Sequence, residues 1–144
     1  MRITICGTSN TGKTTLLNAF REIWPNYITP EKTYRDVVKE KNLKINREAD
    51  IETQTIIRDF LAEQAIQLAS EKNTITDRSV LDNLVYSLWA AEKGKINDDK
   101  FLADSIIICR NAMKMVDIVF WIPMNNDIPV EEDGVRDTSL EYRT

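Results

Sequence analysis

The sequence predicts an α/β fold in three layers, a parallel sheet flanked by helices. Three observations carry this. Short runs rich in β-branched residues alternate with longer stretches of helical period. The loop after the first run, Gly7-Thr8-Ser9-Asn10-Thr11-Gly12-Lys13-Thr14, fits the phosphate-binding pattern G-x-x-x-x-G-K-[ST] at every fixed position. Further polar groups follow later strands, at the carboxyl ends where open parallel sheets bind ligands. A chain of 144 residues makes one domain with a single core. The expected fold is therefore a three-layer P-loop NTPase with a C-terminal lid at about 124–144.

The elements follow in order. Arg2-Ile3-Thr4-Ile5-Cys6 reads as a buried first strand. The helix after the loop places Leu16, Leu17, Phe20 and Ile23 on one face, and Trp24-Pro25 ends it. Asn26 to Thr29 reads as a short second strand stopped by Pro30, and Arg35 to Lys41 as a short polar helix with a loop through Asn46. Asp50 caps the longest helix, to about Ser70, with Ile57, Phe60, Leu61, Ala65 and Leu68 toward the core. Asn73 to Asp77 is a third strand. Ser79 caps a helix to about Lys93, stopped by Gly94. A further helix covers Asp98 to Met115. Asp117 to Ile122 is expected as a fully buried fourth strand closed by Pro123, and Trp24, Trp89 and Trp121 as core.

Composition narrows the function. Apolar residues at 42% and charged residues at 29% describe a globular chain, and a net charge of −4 argues against broad nucleic-acid binding. No apolar run approaches the ~18 residues of a membrane helix, and the N-terminus reads as a core strand rather than a signal peptide. Cys6 and Cys109 read as reduced core thiols, and the expected location is the cytoplasm, the host's if the chain is phage-encoded. Histidine is absent, so acid–base work falls to carboxylates and a metal site to oxygen-ligated Mg²⁺.

The loop carries the strongest chemical signal. Gly7 and Gly12 permit backbone conformations that a Cβ would block, and the loop amides with the following helix N-terminus cradle an anion. Lys13 can reach the β- and γ-phosphates of ATP, and the Thr14 hydroxyl can ligate Mg²⁺. Gly7, Thr8, Ser9, Asn10, Thr11, Gly12, Lys13, Thr14 and Thr15 are the expected nucleotide contacts. Asp77-Arg78-Ser79 follows a strand directly; Asp77 can hold the metal and Arg78 a phosphate or the acceptor, against a bland reading as a capping Asp or Ser beside a surface Arg. Glu31, past the second strand, is a candidate base, while with Arg35 at i+4 it could equally form a surface ion pair. Gln54 and Arg58 share a face of the long helix and could line an acceptor pocket or lie at the surface. Arg136 and Arg143 sit in the polar segment after the last strand, where an arginine can close on a transferring phosphoryl group or simply be solvated.

With these patches together, the chain resembles the P-loop kinases of small acceptors, and in particular the ribosylnicotinamide-kinase-like ATPase/kinase domain common in bacteria and phages. Deoxynucleoside and nucleoside monophosphate kinases are more distant likenesses. The resemblance rests on Gly7 to Thr14, Glu31 with Arg35, Asp77-Arg78-Ser79 with Leu81-Asp82, the strand Asp117 to Ile122, and Asp133-Gly134-Val135-Arg136 through Arg143. It implies Glu31 as base, Asp77 and Arg78 on acceptor and metal, and Arg136 and Arg143 as lid arginines on the phosphates. Such kinases usually continue past the lid with a helix and a strand that helps hold adenine, whereas this sequence stops at Thr144, so either a further segment or minimal base contacts is expected. No run of four apolar residues ending in Asp is clear, so Asp77 takes the metal role by position.

The leading expectation is a kinase that passes the γ-phosphoryl group of Mg·ATP to a hydroxyl or phosphate of a nucleoside- or nucleotide-like small molecule. A second reading directs it at hydroxymethylpyrimidine bases in phage DNA; the lack of a clustered Lys/Arg run disfavours DNA as a partner. A third is a nucleotide-dependent switch ATPase. A homodimer stays open, and no membrane association is expected.

Overall fold

The computed structural model describes residues 1–45 and 48–125. Its centre is β1 (Arg2–Cys6), flanked in parallel by β2 (Thr74–Asp77) and β3 (Ile118–Trp121), in the order β2-β1-β3. Ile3 lies opposite Ile75 on one side and Ile118 on the other. Alternation along β1 separates two faces. Ile3 and Ile5 pack with Ile75 against Leu17 and Phe20 of α1 (Lys13–Ile23). Thr4 and Cys6 turn the other way, where the Thr4 hydroxyl donates to the Arg78 carbonyl and Cys6 Sγ lies 3.4 Å from Ser79 Oγ.

The second helical layer holds α2 (Tyr34–Lys41), α3 (Ile51–Leu68), α4 (Val80–Glu92) and α5 (Asp99–Met113). Val38, Ile57, Leu61, Val80, Cys109 and Ala112 form its core. Full burial of one such aliphatic side chain contributes about 1.5–3 kcal/mol. Helix–sheet–helix layering with parallel strands is thus the observed fold, that of a P-loop NTPase.

Local chemistry sets the helix ends. Asp50 and Asp98 each accept a backbone N–H at 2.8 Å, from Thr53 and Phe101, and cap α3 and α5. Ser79 accepts from Leu81 N while Asp82 accepts from Ser79 N at 3.0 Å, a capping box at the start of α4. Gly94, at φ 69°, ends the same helix in the left-handed conformation. The helix and strand limits fall within a few residues of those expected.

Four expectations need correction. Asn26 to Thr29 is no strand: among the described residues it pairs through a single parallel bridge, Ile28 with Thr74. Pro25 and Pro30 bracket the segment and remove ladder donors at both ends. β3 is an exposed strand rather than a buried one, with Val119, Phe120 and Trp121 41, 46 and 71% exposed. It pairs with β1 alone among the described residues. Trp121 on this strand and Trp24 at the end of α1 are surface residues, and Trp89 is half-buried. On α1, Leu17 is buried and Phe20 half-buried, whereas Leu16 and Ile23 are exposed, because the sheet covers a narrower stripe of the helix than its apolar pattern spans. The expected lid at 124–144, apart from Met124 and Asn125, lies outside the described residues, and Arg136 and Arg143 with it.

Candidate active site

The loop between β1 and α1 is a left-handed backbone held from several directions. Gly7 has φ 146°, and a Cβ there would stand 2.5 Å from the Ile122 carbonyl oxygen, so only glycine fits. Gly12, at φ 85°, turns the chain into α1, and its carbonyl accepts from Leu16 N at 2.9 Å. Lys13 is 6% exposed and folds back over the loop, its Nζ donating to the Thr8 carbonyl at 2.5 Å and Thr11 Oγ1 at 3.3 Å. Burial first, then Arg78, lowers its pKa to about 8. A phosphate is the natural exchange partner for an ammonium so placed.

Asp77 closes β2 beside the start of α1. Thr14 Oγ1 donates to Asp77 Oδ2 at 2.5 Å, while Oδ1 of the same carboxylate is buried without a partner. A hydroxyl and an orphaned carboxylate oxygen beside a phosphate loop are the hard oxygen donors that Mg²⁺ prefers when nucleotide phosphates complete its shell. The pair fits the expected metal. No group of three or more His, Cys, Asp or Glu able to hold a metal by itself occurs among the described residues.

Arg78 is the hub. It has φ 78°, rare for a residue with a Cβ, and its backbone is held by Arg78 N donating to the Ile5 carbonyl at 2.9 Å and Thr4 Oγ1 donating to its own carbonyl. Its guanidinium reaches the Gly7 carbonyl, Ser9 Oγ and Tyr86 hydroxyl, each at 3.4 Å, and sits over the rings of Tyr34 and Tyr86 at 5.2 and 5.6 Å. Burial opposes the charge, but Tyr34, Tyr86 and Asp82 outweigh it and raise the pKa, so Arg78 stays protonated. Asp82 completes the hub: one oxygen accepts from Gly7 N at 3.0 Å and lies 3.6 Å from Arg78 Nη1, and the other accepts from Ser79 N.

Sequence reasoning included Asp82 only within a motif. Its place three residues after Ser79 marks a capping box; its bond to Gly7, 75 positions away, has no local signal. Tyr34 and Tyr86 were also missed.

Two cavities flank Tyr34. One, of about 50 Å³, lies among Gln54, Ile57, Arg78, Asn83 and Tyr86. The other, of about 200 Å³, opens between α1, residues 29–35 and α3, and includes Thr14 and Asp77 in its wall. The smaller holds a few waters and the larger can begin to admit a small molecule. Gln54 lines the smaller, its Oε1 accepting from Asn83 Nδ2 at 2.7 Å and Ser87 Oγ at 3.4 Å. Asn83 Oδ1 and Arg78 Nε are buried there without partners. Arg35 lines the larger cleft, within electrostatic reach of Lys13. Neither alternative expected for Arg58 holds. It is buried against α5, donating to Asp59 at 2.8 Å and Ser105 Oγ at 3.0 Å, over the Phe101 ring. Glu31 is exposed and lines neither cavity, although its neighbours Pro30 and Lys32 line the larger. Thr15 is exposed on α1.

Comparison with known proteins agrees with the fold. A family described as AAA domain matches residues 2–144. No curated protein matches the sequence. Among solved structures, a deoxyadenosine kinase from M. mycoides, with products dCMP and a flexible dCDP bound, superposes with a TM-score of 0.65 at 19% identity over 87% of this chain. The same kinase with bound dATP gives 0.59, again at 19% identity and 87% coverage. The chain spans 65 and 66% of those two kinase chains. No described helix is long and apolar enough to cross a membrane.

Proposed function

The chain belongs to the AAA domain family, and on that premise we propose that it is an ATP-dependent phosphotransferase acting on a nucleoside-like acceptor. The observation that carries this is the join between Thr14 and Asp77, which sets a phosphate loop and a carboxylate in the wall of one cleft. A loop built only to bind or hydrolyse ATP needs no second substrate space beside it. The likeness to a deoxyadenosine kinase supports the reading through the shared fold.

The residues divide the work. The amides of residues 7–14 hold the donor phosphates, and Lys13 exchanges the Thr8 carbonyl for a phosphate oxygen. Thr14 and Asp77 would hold Mg²⁺, which would supply charge neutralisation to the nucleotide phosphates. Arg78, fixed by Asp82 and two tyrosine rings, faces the acceptor without having to order itself first. Tyr34 and Tyr86 with the amides of Gln54 and Asn83 make a ring-lined, hydrogen-bonding pocket of the kind that suits a heteroaromatic base, once it opens beyond its present volume. Arg136 and Arg143 are assigned to the phosphates, and Glu31 to a proton only if the acceptor is a hydroxyl.

The test is transfer of label from γ-labelled ATP to a panel of nucleosides, nucleoside monophosphates and ribosylnicotinamide. Labelled acceptor is the expected result. Binding of ATP with no label on any acceptor would overturn the proposal.

A further inference from the structure

The larger cleft has a charge that the chain as a whole does not. The sequence carries a net charge of −4, yet Arg21, Lys32 and Arg35 line this cleft against the single carboxylate of Asp77. Lys32 is neutralised by Glu40 at 2.5 Å. Arg21 and Arg35 have no carboxylate partner among the described residues, and Arg35 donates only to the Tyr34 hydroxyl, at 3.4 Å. Two arginines facing one cleft repel each other, and a recess focuses their field on whatever enters. Arg21 lies seven residues beyond Thr14 on the same helix, about 10 Å along its axis, so its charge stands toward the end of the recess away from Thr14 and Asp77.

We infer that the acceptor is a phosphomonoester dianion, a nucleoside monophosphate, and that Arg35 and Arg21 recognise its phosphate. This rests on the kinase reading above and narrows it. The chemistry balances without a base. A non-bridging oxygen of the acceptor phosphate attacks the γ-phosphorus of ATP, the bond from that phosphorus to the β,γ-bridging oxygen breaks, and its electron pair leaves with ADP. The product is a nucleoside diphosphate. The second pKa of a phosphomonoester is about 6, so the attacking oxygen carries no proton at pH 7. A hydroxyl acceptor would need its proton taken. The carboxylate best placed in sequence to do so, Glu31, stands outside the cleft, and Asp77 is committed to Thr14.

The experiment compares matched pairs, each deoxynucleoside against its 5′-monophosphate, as acceptors for γ-labelled ATP with the full chain. The expected result is label on the monophosphates, with kcat/KM for the best of them at least about a hundredfold above its nucleoside, as charge-assisted contacts to a phosphate imply. Arg21→Ala and Arg35→Ala should each raise the monophosphate KM roughly tenfold while the KM for ATP stays put. Arg21 is exposed, so that variant tests recognition rather than folding. Nucleosides labelled as well as or better than their monophosphates would overturn the inference and leave the kinase reading intact. No label on either panel, with ATP bound, would remove both. Retention of a DNA oligonucleotide at low salt that Arg21→Ala abolishes, without phosphorylation of any monophosphate, would assign these cations to nucleic-acid phosphates and overturn the inference as well.

Discussion

The two halves of the proposed site are built to different standards. On the donor side, the backbone and side chains between Gly7 and Thr14 are tied by Asp82, Arg78, Thr11 and the loop's own Lys13, largely buried. On the acceptor side, Arg21 and Lys32 are exposed, and the wall at residues 29–33 lies outside any strand or helix. The difference follows from what each half must recognise. A triphosphate is the same anion in every enzyme of this fold, so its site can be fixed in advance and gains from being so. An acceptor varies in shape, and loops vary with it at small cost to the core.

The sharpest way to break that contrast is to cut the donor side from its support. Asp82→Ala removes the acceptor of Gly7 N and the counter-charge of a buried Arg78, and should lower unfolding free energy by about 3–5 kcal/mol. Urea denaturation measures it, with Asp82→Asn intermediate; a change below about 1 kcal/mol would show that the loop stands without the tie. Next, on the proposed reading Lys13→Ala removes the ammonium that meets the developing charge, and kcat should fall about 10²–10³-fold. Steady-state kinetics with saturating ATP decide, and an unchanged kcat would strip Lys13 of its role.

The smallest effect is a titration. Lys13 titrates at about 8 where it stands. Contact with phosphate favours the charged form, so bound nucleotide raises that value. The sign follows: between about pH 7 and 8 ATP affinity is nearly flat, and above pH 8 it falls by up to about tenfold per pH unit, as binding must first supply the missing proton. Calorimetry in buffers of different ionisation enthalpy would register the proton uptake, and affinity unchanged from pH 7 to 9.5 would refute it.

The loop and its setting were legible in the sequence because their determinants are contiguous: eight residues with fixed glycines, preceded by a strand and followed by a helix. The limits of α4 were equally local, set by Ser79 and Gly94. Tertiary neighbours decided what was misread. Trp121 and Phe120 look like core in any window, yet both are exposed on β3, which pairs with β1 alone among the described residues. Arg58 has the spacing of a pocket residue, yet Ser105 and Phe101 on α5 claim it. Asp82 reveals its capping role in three letters and conceals its hold on Gly7, because that bond joins segments 75 residues apart. The arginines of the cleft are likewise invisible in the sequence, where Glu31 stands four residues before Arg35, yet among the described residues Arg35 donates to the Tyr34 hydroxyl and to no carboxylate.

The two thiols have a practical consequence. Cys6 and Cys109 are both free and buried, and Cys6, pushed up to about 12 chiefly by burial, holds almost no thiolate at neutral pH. Maleimides and aromatic disulfides therefore find nothing to modify on the intact molecule, and alkylation can proceed only through openings that expose the central strand or α5. The rate of labelling becomes a clock for those openings, and how far it slows when ATP is added gives a reading of ligand affinity without any catalytic assay.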